Sequence, residues 1–211
     1  MDKYYGSDSV RKICMTEVGM AISNPYKGER RPGSVGLPLP NVEICLMEKG
    51  KVIVEENIPG EIMIKGPQVF TEYWGKSEIT KESFVDGWFK SGDVAILEKG
   101  YFKILGRDSV DIIKSGAYKI SALEIEDTLL KHPSIKECAV VGIEDNKWGE
   151  IVAVSITSAG NEDLSLENLQ KWSTDFLSDY KIHRKMNIVS ELPKNSMGKI
   201  NKPEVKKSFL T

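Results

Sequence analysis

The sequence GRDSVDIIKSGAYK, residues 106–119, separates two parts of the chain that have different patterns. The residues before it form short apolar runs divided by glycine and proline, which is typical of a strand-rich segment. The residues after it alternate between helical and extended patterns. The stretch itself is charged, and it contains two glycines around the short apolar pair Ile112-Ile113, so it offers little to a core. These features predict a hinge between two domains. Composition alone is equally consistent with a polar interdomain hinge whose charges are only solvated, and the residues around the stretch favour a functional role.

The charge balance and the cysteines limit the classes of partner and site. The 211 residues carry 29 basic and 31 acidic side chains, a formal net charge of −2, so we expect neither nucleic acid nor an anionic membrane as a partner. No apolar run approaches the roughly 20 residues of a membrane span, and no transmembrane segment is predicted. Cys14, Cys45 and Cys138 are far apart without a C-x-x-C pair, which favours a reduced, intracellular setting without zinc.

Apolar runs in the first half predict short strands joined by turns. Residues 42–47, 52–54 and 61–65 form a meander, and residues 94–97 and 101–105 form a hairpin. This pattern favours a small antiparallel, barrel-like subdomain.

The second half predicts a compact domain of about 100 residues that mixes helices and strands. Ser121 and Glu124 form a capping box at the start of a helix, and Ser165 begins a second one. Apolar runs at residues 135–143 and 151–156 predict strands. The predicted fold class is therefore mixed α+β: a small antiparallel β-barrel-like subdomain followed by a compact α+β C-terminal domain.

Five side chains form the candidate site: Thr16, Glu17, Asp93, Arg107 and Lys199. A hydroxyl suits a phosphate, one carboxylate suits Mg²⁺, another suits two vicinal ribose hydroxyls, and the two cations suit phosphate or carboxylate charge. Together they predict nucleotide handling. The first two residues are alternatively a turn or helix cap, and the third is alternatively an ordinary turn residue.

Five short sequences occur in a characteristic order over nearly the whole chain after residue 14. They are Met15-Thr16-Glu17, Gly60-Glu61 through Gly66-Pro67 to Tyr73-Trp74, Trp88-Phe89-Lys90-Ser91-Gly92-Asp93, Gly106-Arg107 through Lys114 to Glu124-Ile125-Glu126, and Pro193-Lys194 through Gly198-Lys199-Ile200. In this order they resemble the C-terminal half of the adenylate-forming acyl-CoA synthetases, the AMP-binding enzymes. Residues 28–36, 110–114 and 118–124 further resemble the malonyl-CoA synthetases within that family.

The resemblance implies a two-step reaction that uses ATP, coenzyme A and a small carboxylic acid such as malonate or methylmalonate. In the first step, Thr16 would bind the AMP phosphate and Glu17 the Mg²⁺. Asp93 and Arg107 would bind the ribose hydroxyls. Lys199 would bridge the carboxylate and the α-phosphate.

In the second step, the C-terminal domain would rotate about the hinge at Ser109 or Val110. The resemblance assigns Lys114 to the cofactor-binding stretch that follows. It places Gly116, Ala117 and Tyr118 at the pantetheine tunnel for coenzyme A. The implied domains are an atypical N-terminal segment, 1–13, the β-rich end of the AMP-binding large domain, 14–106, and the mobile C-terminal domain, 107–211.

Several departures from the family pattern shape the expectation for this chain. The phosphate loop is missing, Lys12 replaces an arginine expected to hold malonate, and Ala117 replaces a tunnel glycine. We therefore expect a fragment with little or no activity on its own. The alternatives are a non-catalytic product that acts as a binding module and a peptide-synthetase adenylation domain. The resemblance implies a mitochondrial location, with the cytoplasm as the alternative.

Overall fold

The computed structural model describes residues 12–160 and 164–210. The chain divides into two compact units between Ile104 and Leu105. The predicted atypical segment, residues 1–13, lies outside the described residues except for Lys12 and Ile13. The helices and strands mix in the way that the sequence predicts, so the α+β fold class is confirmed.

The first unit is built mainly from antiparallel strands. Its elements are β1 Lys12–Met15, β2 Gly19–Ser23, β3 Leu37–Pro38, β4 Glu43–Glu48, β5 Lys51–Ile53, β6 Gly60–Lys65, α1 Ser77–Glu82, β7 Phe84–Val85, β8 Trp88–Glu98 and β9 Tyr101–Arg107. One sheet has the order β1-β2-β3. A second sheet has the order β5-β4-β6-β8-β7, and β9 also pairs with β8.

Alternation along these strands places their apolar side chains on one core. Ile62 and Ile64 of β6 are fully buried, and Phe89 of β8 packs in the same cluster with Ile22 of β2. Gly36 allows the backbone at β3 to approach β2 closely. A Cβ there would lie 2.1 Å from the carbonyl carbon of Ser23, and the φ of Gly36 is +102°. Only glycine fits this position.

The second unit packs helices on a mixed sheet. Its elements are β10 Ile112–Ser115, β11 Tyr118–Ser121, α2 Ala122–Leu129, β12 Ile135–Asp145, β13 Gly149–Ser158, α3 Leu166–Ser173, β14 Lys185–Ile188 and α4 Lys202–Lys207. The sheet order is β11-β10-β13-β12, and β14 joins β13 in parallel while the other pairs are antiparallel. A 3₁₀ turn, Asp179–Lys181, precedes β14.

Capping explains where the helices of this unit begin. The Ser121 hydroxyl accepts a hydrogen bond from the Glu124 amide at 3.2 Å, and the Ser165 hydroxyl does the same for Asn168. Ile125 and Leu129 of α2 face the core and are fully buried. The two faces of β12 and β13 carry separate apolar clusters, so this hairpin is the centre of the unit.

Candidate active site

Thr16 and Glu17 lie in the tight turn between β1 and β2, which agrees with the turn alternative for their local structure. Thr16 is exposed and Glu17 is half-buried. The Tyr73 hydroxyl donates to Glu17 Oε1 at 3.0 Å, and the Phe70 amide donates to the Glu17 carbonyl at 2.8 Å. Burial raises the pKa of Tyr73, and the hydrogen bond to Glu17 raises it further, so the phenol stays a donor. The carboxylate of Glu17 is thus fixed in place beside an exposed hydroxyl.

Asp93 lies inside β8 at an irregularity in its pairing with β6. Glu61 pairs with Val94 and Met63 with Lys90, so Ser91, Gly92 and Asp93 stand opposite a single residue. The φ of Gly92 is +74°, and its amide donates to Glu61 Oε1 at 3.1 Å. Such bulges change the direction of a side chain relative to the regular strand. The half-buried Asp93 therefore sits where the alternation of the strand is interrupted.

Arg107 ends β9 and is exposed, and it begins the turn that contains Ser109 and Val110. The Arg107 carbonyl accepts hydrogen bonds from the Asp111 amide at 2.8 Å and the Val110 amide at 3.2 Å. Asp111 Oδ2 accepts from the Arg107 amide at 3.1 Å. A Cβ at Gly106, whose φ is +133°, would lie 2.3 Å from the Cβ of Asp111. The turn is therefore closed by its own backbone and by one carboxylate.

Gly116 and Ala117 form the two-residue connection of a hairpin between β10 and β11, in which Ser115 pairs with Tyr118. The amide of Gly116 donates to the Trp148 carbonyl at 2.7 Å, which ties the hairpin tip to the turn before β13. The predicted hinge stretch thus continues into regular structure, with its tip held in place.

Tyr118 is about half exposed and stacks on Tyr180, with ring centroids 4.2 Å apart and planes 11° apart. The Nζ of Lys114 pairs with Asp108 Oδ2 at 3.1 Å. Tyr180 was not among the sequence candidates, because it lies far along the chain and no local pattern marks it.

Lys199 is exposed at the end of a short closed loop. Its amide donates to Asn195 Oδ1 at 3.0 Å, and its carbonyl accepts from the Asn195 amide at 2.8 Å. Lys194 and Ile200 form a bridge at the base of the loop. The Lys199 ammonium has no ion-pair partner among residues 12–160 and 164–210. The backbone of this lysine is therefore fixed while its charged end is presented to solvent.

The predicted site residues are divided between the two units. Thr16, Glu17 and Asp93 belong to the first unit. The remaining ones belong to the second: Arg107, Lys114, Gly116, Ala117, Tyr118 and Lys199.

Neither a metal cluster nor a membrane span is found in the described part of the chain. Residues 12–160 and 164–210 contain no group of three or more His, Cys, Asp or Glu side chains that could hold a metal ion. No described helix combines the length and the apolar character that crossing a membrane requires.

The chain belongs to the AMP-binding enzyme family. The family model for AMP-binding enzymes matches residues 13–74, and the model for the AMP-binding enzyme C-terminal domain matches residues 124–199. It is 48% identical to a malonate–CoA ligase of Arabidopsis thaliana, covering 97% of this chain and 35% of that protein. It is 42% identical to the mitochondrial malonate–CoA ligase ACSF3 of Bos taurus, covering 95% of this chain and 38% of that protein.

A solved structure is also similar to this chain. The crystal structure of ATP-bound MatB from Rhodopseudomonas palustris matches with a TM-score of 0.82 and 34% identity, over 92% of this chain and 39% of that one. The chain therefore spans less than two fifths of the length of each of these three relatives.

Proposed function

We propose that this chain is the C-terminal part of an acyl-CoA synthetase that activates a small carboxylic acid of the malonate type. The acid reacts with ATP to give an acyl-adenylate and pyrophosphate, and coenzyme A then takes the acyl group and releases AMP. The observation that carries the proposal is the presentation of Lys199, an exposed ammonium at the end of a loop closed by Asn195. Similarity to malonate–CoA ligases over at least 95% of the chain supports the choice of acid.

Lys199 is the residue that acts in the first step. A carboxylate oxygen of the acid attacks the α-phosphorus of ATP, and the bond to the pyrophosphate oxygen breaks. Negative charge grows on the phosphoryl oxygens, and an ammonium held nearby stabilises this charge more in the transition state than in the ground state. The closed loop lowers the cost of holding the Lys199 backbone in one place, since its amide and carbonyl both bind Asn195.

The first unit supplies most of the groups that bind the nucleotide. The exposed hydroxyl of Thr16 donates to a phosphate oxygen, and the carboxylate of Asp93 accepts from the two ribose hydroxyls. Arg107, at the start of the second unit, binds the same ribose. The bulge at Gly92 supports the role of Asp93, because bulges are common beside active sites.

Glu17 suits a magnesium ion that accompanies the nucleotide. Mg²⁺ prefers oxygen ligands and usually binds one or two protein carboxylates together with phosphates and water. Glu17 is one half-buried carboxylate, and its Oε1 is oriented by the Tyr73 hydroxyl. When bound, the ion would neutralise phosphate charge. Glu17 would hold it, and Tyr73 would keep the carboxylate in position.

The second step uses the other face of the C-terminal domain. The domain, residues 107–211, turns about Ser109 or Val110 relative to residues 14–106. Lys199 then leaves the reacting centre, and the hairpin tip at residues 116–118 lines the path of coenzyme A, with Lys114 beside it. The division of the chain between Ile104 and Leu105 supports a boundary near this turn. The thiol sulfur attacks the acyl carbon, and the bond to AMP breaks.

The relatives also suggest where the protein works and what the alternative is. The name of the cattle relative includes a mitochondrial location, and we propose the same compartment for this protein. We propose further that the 211 residues alone have little or no activity, because they cover less than two fifths of the matched relatives. The alternative function is a non-catalytic binding module of the same fold.

Trapping of the acyl-adenylate tests the proposed function. The chain is incubated with ATP, Mg²⁺, hydroxylamine and a panel of acids that includes malonate and methylmalonate, alone and with the upstream part of a related ligase. We expect a hydroxamate only when the upstream part is added, and its loss in Lys199→Ala. Lys194→Ala is the matched control, because Lys194 lies at the base of the same loop but pairs with Glu137 at 2.8 Å.

Each outcome of this assay has a clear meaning. A hydroxamate from the chain alone that disappears in Lys199→Ala supports the reaction but overturns the expected inactivity of these 211 residues. An equal loss in Lys194→Ala contradicts the special role of Lys199. The absence of product in both arms overturns the proposal in favour of the non-catalytic module.

A further inference from the structure

A buried group of three charges lies in the second unit and involves none of the predicted site residues. Lys202 Nζ contacts Asp111 Oδ1 at 2.6 Å and Glu126 Oε1 at 2.9 Å. The exposed fractions of these side chains are only 11%, 15% and 14%. Burial raises the pKa of Glu126, and the Lys202 charge acts in the opposite direction. Charges this well buried stay in place only when each has its partner.

Asp111 also determines the shape of the proposed hinge turn. Its second carboxylate oxygen, Oδ2, accepts from the Arg107 amide at 3.1 Å. Its own amide donates to the Arg107 carbonyl at 2.8 Å, and its carbonyl accepts from the Ala122 amide at 2.8 Å. A change in the backbone of residues 108–110 therefore cannot leave the carboxylate of Asp111 where it is, since this carboxylate closes the turn.

Lys202, the partner of Asp111, follows Lys199 by three residues in the chain. The loop of Lys199 is closed by Asn195, and the Asn201 amide donates to the Pro193 carbonyl at 2.8 Å. Lys202 then begins α4. The ion pair with Asp111 therefore fixes the chain directly behind the loop, and it does so against a residue that lies 91 positions away in sequence.

We propose that Lys202 is a positioning residue that, through its ion pair with Asp111, couples the turn after Arg107 to the loop that carries Lys199. The turn and the loop then change together, so that the conformation of the hinge determines how firmly the lysine is held. This inference rests on the proposed function for the meaning of the loop, but the coupling itself is a property of the second unit.

A second ion pair on the same helix provides the comparison. Lys206 contacts Glu150 Oε1 at 3.1 Å, and the exposed fractions are 37% and 24%. The other oxygen of Glu150 accepts from the Lys114 amide at 2.8 Å, so this pair holds α4 to β10 rather than to the turn. Removing it alters the charge of α4 equally but leaves the bonds of Asp111 intact.

Hydrogen exchange of the full 211-residue chain, read by mass spectrometry or NMR, tests the coupling. In Asp111→Asn we expect the amides of residues 195–201 to exchange faster by roughly tenfold or more, because their local opening becomes easier. Lys202→Met should accelerate exchange at residues 107–111 in return. Lys202→Arg should restore most of the protection, and Lys206→Met should change both segments by less than about twofold.

The pattern of exchange separates coupling from simple damage. Slow amide exchange in the β12–β13 hairpin shows that a variant remains folded. If Asp111→Asn and Lys202→Met do not fold, Lys202→Arg, which keeps the charge, still allows the test. Faster exchange in Asp111→Asn that stays confined to residues 107–111 overturns the proposal, as does an equal effect of Lys206→Met. The hydrogen-exchange results do not depend on the hydroxamate assay. The proposed coupling and the proposed ligase function can therefore be refuted independently.

Discussion

Replacing His183 with leucine should remove much of the acid sensitivity of the second unit. The His183 side chain is fully buried, and neither ring nitrogen has a hydrogen-bond partner among the described residues. Burial lowers the pKa of His183 from 6.5 to about 4, because the charged imidazolium would lose its hydration. The folded chain therefore keeps this ring neutral at a pH where the unfolded chain binds a proton.

The sign and size of the effect follow from that difference. Above the unfolded pKa of 6.5, both states hold a neutral ring and the histidine adds no dependence on pH. As the pH falls from 6.5 towards 4, the unfolded state gains the proton first, so stability declines. One pKa unit corresponds to about 1.4 kcal/mol, which gives a loss of about 2 kcal/mol by about pH 5 and about 3 kcal/mol below the folded pKa.

Urea unfolding followed by circular dichroism, at about pH 7.5 and about pH 5, measures this loss. We expect the parent chain to lose about 2 kcal/mol more than His183→Leu between the two conditions, since the carboxylates titrate equally in both. His183→Gln keeps a polar side chain but cannot bind a proton, so it separates the effect of protonation from the effect of replacing the ring by an apolar group. His132→Gln is the matched control, because that half-buried ring already accepts from the Ser134 amide at 3.2 Å. Equal losses in the parent and His183→Leu would refute the reasoning.

Two further predictions concern a glycine and the cysteines. Gly106→Ala should lower the free energy of unfolding by roughly 2 kcal/mol or more, because its Cβ would collide with Asp111 in a positive-φ conformation. Gly160→Ala, which has a positive φ but no neighbouring atom to meet, should cost less in the same urea experiment. In the native chain, a thiol reagent should label the exposed Cys14 and spare Cys138, where burial raises the pKa to about 12. Rapid native labelling of Cys138, read by peptide mass spectrometry, would contradict this.

Local patterns predicted the parts of the fold that local interactions build. The hairpin of β8 and β9 follows from two apolar runs around Gly100, and the start of α2 follows from Ser121, whose hydroxyl accepts from the Glu124 amide. Only half of that capping box forms. The Glu124 carboxylate instead contacts Lys181 Nζ at 2.6 and 2.8 Å, an interaction across 57 residues that no local pattern indicates.

The hairpin of β10 and β11 is not among the predicted strands, because the charges of residues 106–119 favour a polar hinge. Gly116, with a φ of +58°, is followed by one residue before β11, which is a familiar signal of a two-residue turn. Ile113 pairs with Ile120, and both are buried. Those apolar residues, together with the glycine, could have identified the hairpin from sequence alone.

The burial of His183 and the contacts of the candidate site depend on the tertiary fold. Arg184 and nearby lysines flank His183 in the sequence, and no local pattern indicates that the ring is buried, yet the chain turns inward there to pair β14 with β13. The bond from Tyr73 to Glu17 joins residues 56 positions apart. The candidate site residues are recognisable from the sequence by their residue type and order. The residues that hold them in place are not. Their roles in catalysis remain predictions.

The arrangement of β12, β13 and β14 implies an order of assembly for the second unit. The β12–β13 hairpin pairs residues close in sequence over almost its full length, beginning at Asp145 and Gly149, so it closes at little entropic cost. The parallel strand β14 can join β13 only after α3 and the 3₁₀ turn have crossed over, and the loop of Lys199 follows β14 in the chain. The β12–β13 hairpin therefore leaves the ribosome before its parallel partner β14, and the lysine loop becomes structured among the last parts of the unit.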